Sequence, residues 1–250
     1  MKNKLFPVVQ AMYWNNIPVS ILEGQKQVFE HLDIPLSQEL AHKKPHGQWM
    51  NEVIARHLSS DVIIFCDIDA FPLSQEAYLH AVSIAESGGI FGLAQFSNHK
   101  KSPEIYAGPM FMAFRKSTWE QLGCPGLKSS DAYDAAEVMS VLAKRQGIPI
   151  EMLKPMGALI PKWALGNEGM FGIATFYGEC EFFHLFESRR DAYVQLFDVI
   201  AKDVASGRTL NFNNYLEMAE ASRLDGQQQA QKKSFSKRLK AMFHLSKKSS

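Results

Sequence analysis

The sequence predicts a three-layer α/β/α sandwich, and three observations carry that expectation. Short apolar runs alternate with stretches whose apolar residues recur at helical spacing, in the order β-α-β-α-β-α-β through the first half. One of these runs, Val62 to Phe65, is unbroken, which suits a strand buried on both faces of a parallel sheet. At 250 residues and 46% hydrophobic content, the chain can bury the core of one such domain and carry a small appendage.

Leu5 to Tyr13 reads as the first strand, and Asn15, Asn16 and Pro18 open a helix with Ile21, Leu22, Val28, Phe29 and Leu32 on its apolar face. Ile34 to Leu40 can carry a short strand. Lys43 to Gly47 reads as a loop, and Trp49, Met50, Val53, Ile54, His57 and Leu58 mark the next helix. The strand leading into Asp67-Ile68-Asp69 follows, then a helix near Ser74 to Glu86. Strands at Ile90 to Phe96 and Met110 to Arg115 bracket a polar loop, Ser97 to Ile105. A helix is expected from about Asp134 to Gln146, stopped by Gly147, and then a strand from Ile148 to Leu153. Residues 155–180 are rich in Gly and aromatics without clear periodicity, so they are expected to form a long functional loop. Phe182 to Phe186 is a short apolar segment, and helices are expected over roughly 190–205 and 212–223. The main domain is thus placed at 1–225, with a linker and tail at 226–250.

The net charge of +1 conceals an asymmetry. Residues 232–250 hold seven basic side chains and no acid, so the remainder of the chain is acidic and is not expected to bind nucleic acid. Phe235, Leu239, Met242 and Phe243 fall on one helical face among those lysines and Arg238, the pattern of an amphipathic helix lying on an anionic membrane surface. A basic terminus without structure is the plain alternative. Cys66, Cys124 and Cys180 are odd in number and widely spaced, which fits a reducing compartment. With neither a signal peptide nor a membrane-spanning run in evidence, the expected location is cytoplasmic, with peripheral contact at the inner face of the membrane.

The chemistry concentrates at Asp67 and Asp69. Spaced i and i+2 in an extended chain, both carboxylates point to the same side. At about 4 Å their repulsion costs several kcal/mol at moderate effective dielectric. A hard divalent cation such as Mg²⁺ or Mn²⁺ removes that cost and prefers carboxylate and phosphate oxygens. Ligands of open α/β sheets sit beyond the carboxyl ends of strands, where Met12 to Trp14 and Asp67 to Asp69 are both expected to lie.

Four landmarks in order resemble those of nucleotide-sugar-dependent glycosyltransferases of the GT-A fold, family-2-like and bacterial. They are Ile64-Phe-Cys-Asp67-Ile-Asp69, Tyr106-Ala-Gly108-Pro109 with the strand to Arg115, Ser130-Asp131-Ala-Tyr-Asp134-Ala-Ala-Glu137, and His184. The resemblance covers about residues 5–190. It implies transfer of a sugar from a nucleoside diphosphate sugar to a glycan or lipid-linked acceptor, in bacterial surface polysaccharide or glycolipid synthesis. It further implies Mn²⁺ or Mg²⁺ held by Asp69 and His184, with Asp67 on the ribose hydroxyls or on the metal through water. The third landmark lacks the usual Glu-Asp pair, so the base that activates the acceptor hydroxyl is either Asp134, the first choice, or Asp131.

Other residues are candidates for substrate contact, each with a plain structural alternative. Gly108 lets the backbone approach the donor sugar closely, or simply makes a turn. Arg189 and Arg190 offer guanidinium groups to the diphosphate, one of them more simply a solvated helix-start charge. Tyr13 or Trp14 can stack on the nucleotide base or pack in the core. His46 and Gly47 lie in a loop near that base, or in an ordinary turn. Trp163 and the stretch Gly166 to Gly178 can form a lid. Two other functional classes compete: a haloacid-dehalogenase-like phosphatase with Asp67 as nucleophile, and a non-catalytic nucleotide-sugar-binding protein of the same fold.

Overall fold

The computed structural model describes residues 6–97, 100 and 104–223. The chain divides into two compact units with the boundary between Leu210 and Asn211. The second unit contains a helix over residues 212–223. The linker and amphipathic tail expected at 226–250 lie outside the described residues.

The first unit is the predicted α/β sandwich. Its six-stranded sheet contains β1 (Val9–Tyr13), β2 (Leu36–Leu40), β3 (Val62–Asp67), β5 (Ile90–Phe96), β6 (Ile105–Arg115) and β7 (Ile150–Leu153), in the order β2-β1-β3-β6-β5-β7. The pairs β1–β2, β1–β3 and β5–β7 are parallel, and β6 runs antiparallel to both its neighbours. A four-stranded antiparallel sheet holds β4 (Ala70–Pro72), β8 (Pro155–Ala164), β9 (Met170–Tyr177) and β10 (Phe182–His184), in the order β4-β10-β9-β8.

Alternation along the central strands feeds both layers. Ile63 and Phe65 of β3, with Met112 and Phe114 of β6, pack against Trp49, Met50, Val53 and Ile54 of α2 (His46–Ala55) and Met139 and Ala143 of α5 (Glu137–Gln146). On the opposite face α3 (Gln75–Glu86) lies against β3, β5 and β6. There Phe91 and Phe111 meet Phe182 of β10, with ring centroids 5.6 and 4.6 Å away. Beside it α1 (Val19–His31) packs on α6 (Asp191–Ala205) so closely that a Cβ at Gly24 would sit 3.0 Å from the Phe197 ring. Ser74 caps α3, its Oγ accepting from the Ala77 N–H.

Four local expectations are corrected. Residues 155–180 are mostly strand, because β8 and β9 form a long hairpin. Their alternation is hidden by two register shifts, between Pro155 and Gly157 and between Pro161 and Trp163, and by Gly172, where a Cβ would lie 2.1 Å from the Ile160 carbonyl oxygen. The strand expected at Met110 starts five residues earlier, at Ile105. Pro109 is tolerated inside it because the ladder shifts register there, with Leu93 opposite Gly108 and Gly92 opposite Met112. His46 and Gly47 open α2 rather than belonging to a loop, and a Cβ at Gly47 would lie 2.2 Å from the Leu127 carbonyl oxygen. The helix expected to begin at Asp134 begins at Glu137, after Ala136 in a left-handed conformation at φ +62°. A short helix, α4 (Lys116–Gln121), was not expected at all. Among the described residues, no helix is long and apolar enough to cross a membrane.

Candidate functional site

Two neighbouring parallel strands deliver the site. Met12 of β1 lies beside Asp67 of β3, so Tyr13 and Trp14 emerge next to the Asp67-Ile68-Asp69 turn. After that turn β4 enters the second sheet, where Ala70 pairs with His184 of β10. The N–H of Leu185 donates to the carbonyl of Asp69 at 2.9 Å. Strand pairing therefore carries a residue far along the chain back to the two acids.

His184 Nε2 lies 3.3 Å from Asp69 Oδ1 and 3.6 Å from Asp67 Oδ2. One ligand atom from each of the three residues falls within a 4.8 Å span. The His184 side chain is 4% exposed, Asp69 15% and Asp67 28%, so the group is shielded yet opens to one side. Burial pushes the Asp67 carboxyl above its ordinary range. The charges of His46 and His184 oppose that rise, and Asp69 adds to it. Two carboxylates and an imidazole converging in a partly dry recess fit a divalent cation of the Mn²⁺ or Mg²⁺ kind. Among the described residues the buried Nδ1 of His184 has no hydrogen-bond partner, while its ring packs 4.0 Å from that of Phe186.

The open side is a cleft of roughly 290 Å³ whose walls include Tyr13, Trp14, His46, Asp67, Asp69 and Arg189. That volume is near the lower end for small-ligand sites. The Trp14 indole N–H donates to the carbonyl of Lys44 at 3.1 Å, and the Arg189 guanidinium sits 5.8 Å from the Trp14 ring. Only one of the two candidate arginines is placed in the cleft. Arg190 pairs with Glu187 at 3.0 Å and lies over the Tyr193 ring.

Asp134 sits in the turn before α5. Its Oδ1 accepts from the Ala135 N–H at 2.8 Å, and its Oδ2 accepts from the Tyr106 hydroxyl at 3.2 Å. Its own N–H donates to Glu137 Oε2 at 2.6 Å, an oxygen that also accepts from buried Ser97. Asp134 thus is not the first helical residue, and backbone N–H contact comes from the next residue rather than from a helix terminus. The Tyr106 phenol is pushed well above its ordinary range by burial first, then by the charges of Asp134, Glu137 and Asp67. Asp131 is exposed and lines a different depression with Tyr133, Glu137 and Arg145.

Asp134, Asp131, Gly108 and Trp163 are not among the cleft-lining residues. A Cβ at Gly108 would sit 2.6 Å from Met110 Sδ and 2.8 Å from Gln95 Oε1, the ends of two flexible side chains that would have to shift to admit it. Trp163 lies on β8 rather than on a lid, between Phe171 and Phe186 at 5.6 and 5.2 Å, with Lys162 over its ring.

Two contributors escape the sequence reading, and a third has a contact that it does not foresee. His46, expected near the base, lines the cleft, and its Nε2 stands 3.7 Å from Asp67 Oδ1 while its ring stacks on Trp49. Glu187, at φ +61°, pairs with both Lys162 and Arg190 and so fixes the loop that bears Arg189. Buried Gln25 of α1 reaches the turn between Asp67 and Ala70. No local pattern marks any of the three, because their partners come from distant elements.

No protein-family model and no curated protein matches the sequence. Solved structures resemble it in chain trace at low identity. A mannosyltransferase of Pyrobaculum calidifontis, in complex with GDP-Man and Mn²⁺, matches at 12% identity and a TM-score of 0.42, over 60% of this chain and 55% of that one. This chain thus spans about half the length of that protein. A Bacillus anthracis protein described as a glucose-1-phosphate thymidylyltransferase matches at 8% identity and a TM-score of 0.46, over 85% and 99%. A197 from STIV matches at 8% identity and a TM-score of 0.42, over 73% and 95%. At these values the likeness assigns neither activity nor substrate.

Proposed function

We propose that this chain is a metal-dependent glycosyltransferase of the GT-A type that takes its sugar from a nucleoside diphosphate sugar. The observation that carries the reading is the convergence of Asp67, Asp69 and His184 on one small volume, with both acids lining the cleft that holds Trp14 and Arg189. In this reading Asp69 and His184 hold Mn²⁺ or Mg²⁺ directly, and Asp67 joins them or binds ribose hydroxyls. When bound, the ion supplies Lewis-acid neutralisation of the departing diphosphate.

The chain's own groups do the rest. Arg189 presents two parallel N–H donors to phosphate oxygens, and Trp14 beside it, with Tyr13, offers an aromatic surface to the base. Asp134 takes the proton from the acceptor hydroxyl as the bond to the anomeric carbon forms, with Asp131 as the second candidate. Gly108 and Trp163 stay in the proposal as indirect contributors, the first shaping the strand entry and the second the packing beneath Phe186. The acceptor is proposed to be a glycan or lipid-linked intermediate of bacterial surface polysaccharide or glycolipid synthesis. The basic tail at 232–250 is proposed to hold a cytoplasmic enzyme against an anionic membrane.

The test is a thermal-shift screen of nucleotide sugars with and without Mn²⁺. The expected result is stabilisation by one donor class only when Mn²⁺ is present, lost in Asp69→Asn. Stabilisation by no nucleotide sugar, or an undiminished shift in Asp69→Asn, overturns the reading.

A further inference from the structure

We infer that Gln25, outside the cleft, is a positioning residue for the metal-binding turn: its amide sets the geometry in which Asp67 and Asp69 meet His184. The inference rests on the metal-dependent reading of the site. Gln25 lies on α1 and is fully buried, an expensive place for a neutral amide unless all of its hydrogen bonds are made. Its Nε2 has two hydrogens and two carbonyl acceptors, Asp67 O and Ala70 O, each at 2.8 Å. Those are the first and last residues of the turn that carries both acids. Its Oε1 accepts from Gln38 Nε2 at 3.0 Å, and Gln38 Nε2 also donates to the Leu22 carbonyl.

The amide therefore acts as a clamp across the turn. The third carbonyl of the turn, that of Asp69, is taken by the Leu185 N–H. Cys66 Sγ, itself buried, lies 3.2 Å from Ala70 O and 3.3 Å from Asp67 O, a weaker donor to the same two oxygens. With these carbonyls held from behind, the Asp67 and Asp69 carboxylates are left to face His184 and the cleft. Releasing the two carbonyls lets the turn relax the repulsion between the acids by moving them apart, which spoils a shared ligand position. Outer contacts that orient metal ligands typically change affinity by about 10–100-fold when removed.

The probe is Mn²⁺ alone, its free concentration read by electron paramagnetic resonance, with melting in EDTA followed in parallel. Gln25→Met keeps the volume and removes both donors. It is expected to bind Mn²⁺ about tenfold more weakly, while turnover, where measured, is restored by saturating Mn²⁺. A residue that only supports the fold would not give that recovery. Gln38→Met leaves the clamp's donors in place but frees its Oε1, and is expected to weaken Mn²⁺ in the same direction by a smaller factor. It carries the test if Gln25→Met does not fold. Wild-type affinity in the folded variant overturns the positioning role and leaves the metal site standing. If the wild-type protein binds Mn²⁺ no better than Asp69→Asn, the metal site fails, and this role fails with it.

Discussion

His184 Nε2 stands 3.3 Å from Asp69 Oδ1, and the contact is made by sheet pairing rather than by proximity in the chain. Because β10 pairs with β4, and Leu185 donates to the Asp69 carbonyl, the imidazole has little freedom to move away from the carboxylate.

In the proposed site, replacing Asp69 or His184 should therefore weaken cation binding without disturbing the sheet. Asp69→Asn and His184→Asn are each expected to weaken Mn²⁺ binding by more than the roughly tenfold effect of losing an outer contact. Isothermal titration with Mn²⁺ measures this, and circular dichroism in EDTA checks that the fold is retained.

Asp67→Asn should raise the melting temperature of the metal-free protein. The folded-state pKa of Asp67 is raised, so its ionised form costs stability. That cost is absent below the ordinary carboxylate range of about 3.9 and grows as pH rises through the raised value. The gap between variant and wild type in EDTA should thus be smaller at pH 4.5 than at pH 8. A gap of the opposite trend would show that Asp67 is held ionised by His46 and His184.

Arg189→Ala and Arg190→Ala should behave differently despite their adjacency. Arg189 lines the cleft over Trp14, whereas Arg190 pairs with Glu187. Loss of a charged hydrogen bond to phosphate costs about 1.5–3 kcal/mol, so Arg189→Ala should bind the nucleoside diphosphate selected by the donor screen at least tenfold more weakly. Arg190→Ala should stay close to wild type in the same titration.

Gly47→Ala should destabilise by more than the about 1–3 kcal/mol usual for overpacking, because the new methyl would meet backbone at 2.2 Å from Leu127 O and 2.5 Å from Lys128 Cα. Gly126→Ala, with nothing among the described residues within 4 Å of its Cβ position, should be nearly neutral. Urea unfolding of the two variants separates the effects.

How much of this was legible depended on how local each cause was. The Val62–Phe65 run and the Trp49–Ile54 periodicity are local, and β3 and α2 appear where they point; the two acids do converge, but across a turn at Ile68 and Asp69 rather than along the extended chain that their spacing suggests. The β8–β9 hairpin was not legible, because Gly157, Pro161, Gly172 and two register shifts erase the period-two signal on which a strand is recognised. The apolar spacing places the start of α5 at about Asp134, and the left-handed Ala136 moves it to Glu137. His184 could be placed only by family resemblance. His46, Glu187 and Gln25 depend on contacts between distant elements and leave no trace in spacing.

The position of β8 at the margin of its sheet has a bearing on how the protein behaves when crowded. Among the described residues this ten-residue strand has a strand partner on one side only, which is an invitation for a second chain to add itself. Pro155 and Pro161 have no N–H to offer an incoming strand, Lys162 places a charge beside the second of them, and two kinks break the straight run. The same irregularities that disguised this hairpin as a loop thus guard the molecule against stacking into fibres.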